Sequence, residues 1–405
     1  MTNYNLFCDK KELTHIYNFN NKISDSVKYI YIDDYFNEPL KEGDIPNTVT
    51  HVIFGIRFNQ PLKKGDVPHG VTHLIFGLSF NQSLTDIVPS SVTHLVFGLR
   101  FNQPLLVGDI PFGVYYLDLS SDFNYPLNIG VIPHSVIIMK MGNKFNQILN
   151  IGDIPESVID LTISIGTEQT SIYGIIPKNV IILTFGDNFN QILNIGDIPE
   201  SVMELTFGYT FNQKLINGII PKYVHKVVFG NNYNWPLNIG DIPESVIDLT
   251  LGFHFNKKII IPKYVQRLVF GYHFNQIINI GDIPDTVKYL ILGALFNKEL
   301  FEHSLPFGLT HLDIGCSYKY ELNEKIIPSS VIDLSLRGDL ILTIDRLPPT
   351  IKYLYIYSND LDILNLPCSL ELLTIYLYDK KYKIKLPYKC KLINKCATGK
   401  YTDIL

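Results

Sequence analysis

A short motif returns along almost the whole of this 405-residue chain at a nearly constant spacing. The dipeptide Phe-Asn recurs mostly every 22 residues, with one step of 21 and one of 19. Tyr233-Asn234 fills one place, and Thr167 stands where another phenylalanine is expected. A period of this length predicts a solenoid, in which each turn buries its apolar face only against its neighbours. The phenylalanines are Phe36, Phe58, Phe80, Phe101, Phe123, Phe145, Phe189, Phe211, Phe255, Phe274 and Phe296.

A second marker, a proline preceded by an aliphatic residue, runs in step with the first. In turns such as 101–111, two prolines and a glycine leave no room for a regular helix, which predicts extended or turn structure. These prolines are Pro46, Pro68, Pro89, Pro111, Pro133, Pro155, Pro177, Pro199, Pro221, Pro243, Pro262, Pro284, Pro306 and Pro328.

After each of these prolines comes a segment with alternating apolar residues, for example Val-Thr-His-Leu-Val-Phe-Gly. We number its residues from one to seven, so that Val92, Leu95 and Phe97 are positions one, four and six. This pattern predicts one short strand per turn and a parallel sheet, with Leu95 and Phe97 on one face and His94 and Val96 on the other. The glycine at position seven either relieves crowding or allows a positive φ at the corner.

The recurring phenylalanines are predicted to stack as a spine inside the coil, because burying one phenylalanine contributes about 2–3 kcal/mol. The asparagine beside each can donate and accept, and is predicted to bond the backbone of its own turn and the next in a ladder. The 19-residue step between Phe255 and Phe274 lacks three residues, which predicts a kink or a tightened corner near Lys257–Pro262.

Units such as Phe-Asn-Gln-Pro-Leu at 101–105 followed by Gly-Asp-Ile-Pro at 108–111 resemble FNIP repeats. That family is named for these residues and is similar to leucine-rich repeats. We therefore expect a mainly β chain forming a single leucine-rich-repeat-like solenoid of about 18 turns of about 22 residues, with one curved parallel sheet and a non-helical convex side. Residues 23–387 are predicted to form the solenoid, regular to about residue 300, with caps at 1–22 and 388–405.

Charge and cysteine content exclude several classes of protein. The 34 basic and 39 acidic residues give a net charge of -5, which argues against a nucleic-acid partner. No apolar stretch approaches the ~20 residues that cross a bilayer, so we expect no membrane partner. No signal peptide is visible, and five irregularly spaced cysteines fit reduced thiols, which together predict a cytoplasmic location.

Standard catalytic motifs are absent from the sequence: there is no P-loop, HExxH, GxSxG or Rossmann glycine motif. We expect a non-enzymatic protein without a cofactor and without a catalytic or metal site. An enzyme assembled across strands on the histidines described next is a third, weaker hypothesis.

Candidate partner-binding residues stand at position three, on the face of the sheet away from the phenylalanine spine. Histidines in three adjacent turns form a column that is plain solvated surface, a partner contact, or a metal site shared by two imidazoles. Charges at this position alternate in sign over four turns (204, 226, 248 and 267), which indicates either register support or a polar recognition strip. The candidates are His51, His73, His94, Tyr116, Lys226, Arg267, Tyr289, His311 and Tyr353.

Position five adds Ile53, Ile75 and Val96, which are predicted to point outward as an apolar patch unless a cap or loop covers them. His15 is assigned to position three of an irregular first turn. The segment 14–96 is therefore our first candidate for a partner surface.

We expect a protein–protein interaction solenoid that binds a protein of unknown identity on its concave sheet, as a monomer or weak oligomer. The resemblance to FNIP repeat proteins implies an adaptor role in ubiquitin ligation, although no F-box-like helical module precedes the array. The alternative is a structural spacer without a dedicated ligand.

Overall fold

The computed structural model describes residues 13–20, 22–337, 347–357, 362–363, 366–377 and 383–396. They fall into two units, Met1–Met203 and Glu204–Leu405. The described part of the chain contains strands and turns but no helix. In particular, it holds no helix of the length and apolarity that a bilayer crossing requires.

The first unit has nine short strands among its described residues, one in each turn. Each strand pairs in parallel with the next in chain order. The strands are β1 (Thr14–Ile16), β2 (Tyr29–Ile32), β3 (His51–Ile53), β4 (His73–Ile75), β5 (His94–Val96), β6 (Tyr116–Asp118), β7 (Ile138–Lys140), β8 (Asp160–Ile163) and β9 (Ile182–Phe185).

The second unit repeats this arrangement with ten parallel strands among its described residues. A separate pair is formed by β18 (Asp362–Ile363) and β20 (Lys383–Ile384). The ten are β10 (Glu204–Thr206), β11 (Lys226–Val228), β12 (Asp248–Thr250), β13 (Arg267–Val269), β14 (Tyr289–Ile291), β15 (His311–Ile314), β16 (Asp333–Arg337), β17 (Tyr353–Tyr357), β19 (Leu372–Leu377) and β21 (Lys391–Cys396).

The predicted fold class is confirmed: each unit is a mainly β solenoid with parallel strands and a non-helical remainder. The number of turns differs slightly from the predicted 18, since the described residues supply nine strands to one unit and ten to the other. Strands β1 and β21 lie inside the predicted caps, and the cap boundaries stay a prediction.

Strand register places equal repeat positions opposite one another. His51 pairs with His73, Val52 with Leu74 and Ile53 with Ile75. The strands on either side of the 19-residue step also pair equal positions, because Asp248 at position three pairs with Arg267 at position three. Every repeat position therefore becomes a column of side chains running across the strands of its unit.

Aromatic rings fill the interior of the coil in two interlocking columns, which confirms the predicted spine. Phe58 and Phe80 stack at 6.2 Å with an interplanar angle of 6°. A second column, formed by position six, reaches it within each turn, and the rings of Phe76 and Phe80 lie 4.0 Å apart. In the second unit Tyr318 stacks on Phe296 at 6.0 Å and extends the column beyond the last Phe-Asn dipeptide.

The asparagine ladder is also confirmed, at a half-buried edge of the coil. The side-chain oxygen of Asn59 accepts the backbone N–H of Asn81 at 2.8 Å, and that of Asn81 accepts the N–H of Asn102 at 2.9 Å. The expectation for Thr167 was wrong. Its N–H donates to Oδ1 of Asn146 at 2.7 Å, so it occupies the ladder position and not the phenylalanine position.

The reason is a corner one residue shorter than usual. Asn59 follows the position-six residue Phe54 by five residues, whereas Thr167 follows the position-six residue Ile163 by four. Thr167 follows Phe145 by the usual 22 residues, but the shorter corner gives it a different place in the coil.

The Gly-Asp dipeptide of the motif forms a tight turn. In residues 106–109 the N–H of Asp109 donates to the carbonyl of Leu106 at 3.1 Å. Gly108 between them has a φ of 100°, a left-handed conformation that favours glycine. The carboxylate of Asp109 then accepts the N–H of Leu106 at 2.7 Å, which closes the turn. Aspartates closing a turn in this way are Asp44, Asp66, Asp109, Asp153, Asp197, Asp241 and Asp282.

The short turn in the second unit lacks this Gly-Asp turn. Ile259 bridges to Leu237 in parallel, and the N–H of Ile260 donates to the carbonyl of Leu237 at 3.1 Å. The chain then passes directly to Ile261, so the predicted tightening is present while strand pairing stays in register. The missing residues leave a pocket of about 290 Å³ whose lining includes Phe270 and Phe274 of the aromatic spine.

Candidate functional site

The nine candidate residues occupy position three, as predicted, and all are half-buried. Four lie on consecutive strands of the first unit, β3 to β6. The other five lie on β11, β13, β14, β15 and β17 of the second unit. The structure thus brings together two groups, His51, His73, His94 and Tyr116, and Lys226, Arg267, Tyr289, His311 and Tyr353.

In the first unit, three stacked imidazoles with a tilted tyrosine ring at each end form a series of five aromatic rings, which we call the aromatic column. The rings of His51 and His73 lie 4.0 Å apart at 12°, and those of His73 and His94 lie 3.9 Å apart at 16°. Tyr29 extends the stack at 4.5 Å from His51, and Tyr116 extends it at 5.7 Å from His94. Strand spacing of about 4.8 Å brings such rings into contact when neighbouring turns carry aromatic residues at the same position in register.

A threonine before each histidine sets its tautomer. Thr50 Oγ1 lies 2.9 Å from Nδ1 of His51 and donates its proton to the carbonyl of Lys28. Because a hydroxyl has one proton, both contacts are hydrogen bonds only if Nδ1 of the imidazole carries hydrogen. The arrangement repeats at 3.0 Å for Thr72 and His73 and at 3.1 Å for Thr93 and His94.

Burial keeps these imidazoles neutral. It lowers the pKa of His51 and of His94, and it is the main cause that lowers the pKa of His73 to about 3. Proximity of His51 and His94 lowers the pKa of His73 further, because like charges would lie against each other. At neutral pH the aromatic column is therefore uncharged.

The stacked geometry does not support a metal site. Parallel rings direct their ring nitrogens side by side, whereas ligands of one zinc ion converge on a point about 2.0–2.1 Å from each nitrogen. Among the residues that the structure describes, no group of three or more His, Cys, Asp or Glu side chains could hold a metal ion.

Tyr115, at position two, adds a contact that the sequence interpretation missed. Its hydroxyl lies 2.7 Å from Nε2 of His94, and its ring meets that imidazole edge-on at 4.5 Å. With Nδ1 of His94 protonated, Nε2 accepts this hydrogen bond from the phenol. The adjacent tyrosines at 115 and 116 are the signal that could have predicted it.

Of the two alternatives for the apolar residues at position five, an exposed patch is not the one that the structure shows. Ile53, Ile75 and Val96 are only 1%, 3% and 7% exposed and form a cluster of their own on the face of the sheet away from the phenylalanine spine. Partly buried Leu13 and Tyr31 pack against them, as does Tyr116. These residues are therefore covered, and Leu13 of the predicted N-terminal cap is among the side chains that cover them.

The register of β1 differs from the one that the sequence predicted. Thr14 pairs with Ile30 and His15 with Tyr31. Since Tyr31 pairs with Ile53 at position five, His15 also stands at position five and not at position three as predicted. Leu13 is therefore the position-three residue of the first turn, two residues from its expected place.

In the second unit the charged position-three residues form cross-strand ion pairs. Nζ of Lys226 lies 2.8 Å from Oε2 of Glu204, and Nη1 of Arg267 lies 3.0 Å from Oδ1 of Asp248. The guanidinium of Arg267 also lies 5.1 Å from the ring centroid of Tyr289. These pairs favour the correct strand register, and each contributes about 1 kcal/mol or less because the side chains reach solvent.

The remaining candidates of this unit continue the polar strip. His311 Nε2 lies 4.0 Å from Oδ2 of Asp333. Burial raises the pKa of Asp333, while His311 opposes that shift. Tyr353 donates a hydrogen bond to Glu371 at 3.4 Å. The strip presents alternating donors and acceptors, in contrast to the uncharged aromatic column.

A titratable pair lies beside the aromatic column at position five. Burial raises the pKa of Asp118 to about 6, and the neighbouring Lys140 counteracts the shift. Nζ of Lys140 lies 5.3 Å from the ring centroid of Tyr116. The sequence interpretation missed Asp118, because its burial depends on the neighbouring strands.

Among the solved structures that match this chain, one is similar over most of its length. It is described as CroV588, a novel circular LRR protein, with 28% sequence identity and a TM-score of 0.72. The match covers 92% of this chain and 60% of that one, so this chain spans 60% of the length of that protein. No curated protein matches the sequence.

Solenoids of the leucine-rich-repeat type are commonly used for protein–protein interaction and are typically non-enzymatic. The FNIP Repeat profile matches residues 18–56, 58–100, 101–144, 169–210, 211–254, 255–294 and 296–339, which together make up more than half of the sequence. This chain therefore belongs to the FNIP repeat family.

Proposed function

We propose that this chain is a non-enzymatic, cytoplasmic interaction protein that binds a protein partner through the aromatic column of its first unit. The observation that carries the proposal is the stack of three neutral imidazoles between Tyr29 and Tyr116. Rings held by stacking and by threonine hydrogen bonds lose little freedom when a partner binds, which favours affinity.

The chemistry of the aromatic column points to the kind of segment it binds. An uncharged surface of half-buried rings matches apolar or aromatic side chains better than acidic ones, and tyrosine is enriched among residues that dominate binding energies. The exposed phenol of Tyr115 supplies a hydrogen-bonding rim beside it. We infer a partner segment with apolar side chains at its centre and polar groups at its edge.

An adaptor role would use a second surface of different chemistry. The polar strip of the second unit, with Lys226, Arg267, Tyr289, His311 and Tyr353, offers charges of both signs. It matches a charged partner that the aromatic column would not select. We propose it as a second binding surface for a protein, with no cofactor and no nucleic acid involved.

Affinity capture from a cytosolic extract tests the first surface. The full-length chain carries His73→Glu in one sample and Lys178→Glu in a second, since Lys178 is exposed and outside the aromatic column. We expect a protein captured by the wild-type chain and the Lys178 variant to be lost from the His73 variant. Thermal unfolding of each variant shows that the loss is not a loss of fold.

The alternative is a spacer without a dedicated ligand. It predicts that no protein is enriched over an unrelated solenoid, or that the His73 variant captures the same proteins as the wild type. Either result would reject the aromatic column as a binding surface.

A further inference from the structure

Five consecutive turns of the first unit, three of them with the Gly-Asp dipeptide, carry an exposed apolar side chain at their tip, directly before the turn glycine. These side chains are exposed to between 65% and 72% of their full area. We call them the tip ridge, and they are Val107, Ile129, Ile151, Tyr173 and Ile195.

The tip ridge is continuous, because each tip side chain lies over the glycine of the next turn. A Cβ built at Gly152 would lie 3.6 Å from Ile129, and one built at Gly174 would lie 3.2 Å from Ile151. In the same way, a Cβ built at Gly130 would lie 3.8 Å from Val107, and one built at Gly196 would lie 3.2 Å from Tyr173. The ridge therefore crosses five turns without a polar side chain interrupting it at the tips.

Apolar tips are not a general property of the repeat. The three turns before the tip ridge carry Glu42, Lys64 and Thr85 at the same place. In the second unit Ile239 and Ile280 are also apolar tips, but they are separated by the short turn and do not form an unbroken series. Further exposed apolar residues occur in the same stretch of chain as the tip ridge. They are Leu106, Phe112, Ile148 and Ile192.

We propose that the tip ridge is the interface through which two copies of this chain form a dimer. The apolar area that these nine residues expose is roughly 1,000 Å², of the same order as the ~800 Å² per partner of a stable interface. In an isologous contact the ridge of one copy packs against the same ridge of the second copy, so uncharged apolar side chains contact one another.

Flanking charges favour a second copy over a membrane surface. The residue after the motif proline is Glu156, Lys178 and Glu200 in three successive turns. All three side chains are exposed, and their mixed signs lack the basic excess that anionic lipids attract.

Sedimentation equilibrium of the full-length chain at about 1–100 µM, the range in which modest interfaces associate, tests the proposal. The wild-type chain is expected to approach twice its monomer mass of 46.3 kDa. Ile151→Glu, at the centre of the tip ridge, places an unpaired carboxylate in the interface and is expected to raise the dissociation constant at least about tenfold.

Ile239→Glu is the matched control. Ile239 has the same repeat position and is 78% exposed, but it lies in the second unit, where the tip of the preceding turn is Asn217 and the next turn lacks its Gly-Asp turn. It is expected to leave the dimer intact. A monomeric wild-type chain, an Ile151→Glu variant that still dimerises like the wild type, or equal weakening by Ile239→Glu would each overturn the proposal. Because both isoleucines are exposed, thermal unfolding measured at a concentration well below the dissociation constant, where every chain is monomeric, is expected to be the same for both variants and the wild type.

Discussion

The carbonyl oxygen of Gly77 lies 1.7 Å from the place where a Cβ on Gly98 would stand. The glycines at position seven thus face each other across neighbouring turns with no room for a side chain. Gly98 does not have a positive φ. Of the two reasons that the sequence allowed for this glycine, crowding between turns is the one that applies.

Replacing Gly98 by alanine is expected to lower the free energy of unfolding by about 2–3 kcal/mol, because neighbouring backbone must shift to admit the methyl group. Gly108→Ala is the control, since nothing lies within 4 Å of its Cβ position although its φ is 100°. The strain of a positive φ alone is expected to make Gly108→Ala lower the free energy of unfolding by about 1 kcal/mol. Urea unfolding compares the two, and equal losses would show that the turns are not packed this closely.

Phe101→Ala is expected to destabilise the protein by about 3–5 kcal/mol, because the ring is fully buried in the aromatic spine. Phe307→Ala removes the same ring from a side chain that is 65% exposed and lies outside the proposed interface, and it is expected to change stability by less than about 0.5 kcal/mol. Chemical denaturation measures both. Similar values would mean that the faces of the coil are assigned wrongly.

His73→Gln is expected to make stability less dependent on pH in the acid range. The folded-state pKa of His73, about 3, lies below the ordinary value of 6.5, so between these values the unfolded chain binds a proton that the folded chain does not. The wild type therefore loses stability as pH falls below 6.5, and the glutamine variant loses less.

Urea midpoints at pH 7.5 and pH 5 measure the difference. His134→Gln, an exposed histidine outside the aromatic column, serves as the control and should follow the wild type. A His73 variant that follows the wild type as well would contradict the buried, neutral imidazole.

Asp118→Asn is expected to stabilise the protein at neutral pH. The pKa of Asp118 is raised from 3.8 to about 6, so the folded state holds this proton more tightly than the unfolded state. The protonated carboxyl of Asp118 therefore stabilises the wild type fully below about pH 3.8, and this stabilisation is lost as the pH rises through about 6. The amide, which is never charged, should add roughly 1–2 kcal/mol at pH 7.5 and almost nothing at pH 4.

Thermal unfolding at the two pH values checks this, with the exposed Asp285→Asn as the reference substitution. If Asp118→Asn destabilises at pH 7.5, its carboxylate is stabilised by Lys140 more than burial disfavours it.

Much of the fold could be predicted because the turns share one sequence pattern, so a structure deduced for one turn applies to the others. A residue type that returns at the same position pairs with itself in the next turn, as His51 does with His73. The phenylalanine spine and the asparagine ladder follow from this register, and so do the outward positions of the candidate residues. Thr167 shows the limit, since one missing corner residue moved it from one column to the other.

The sequence alone determined the parallel solenoid, its non-helical turns and the column on which the candidate residues stand, because these depend on local spacing and on contacts between identical neighbours. Only the tertiary structure decided that Leu13 packs on Ile53, Ile75 and Val96, and that the stacked histidines are neutral. Burial and pKa depend on which distant segment covers a side chain and on the distances between rings. A periodic sequence does not encode those distances in its spacing, because they arise only once the turns have packed.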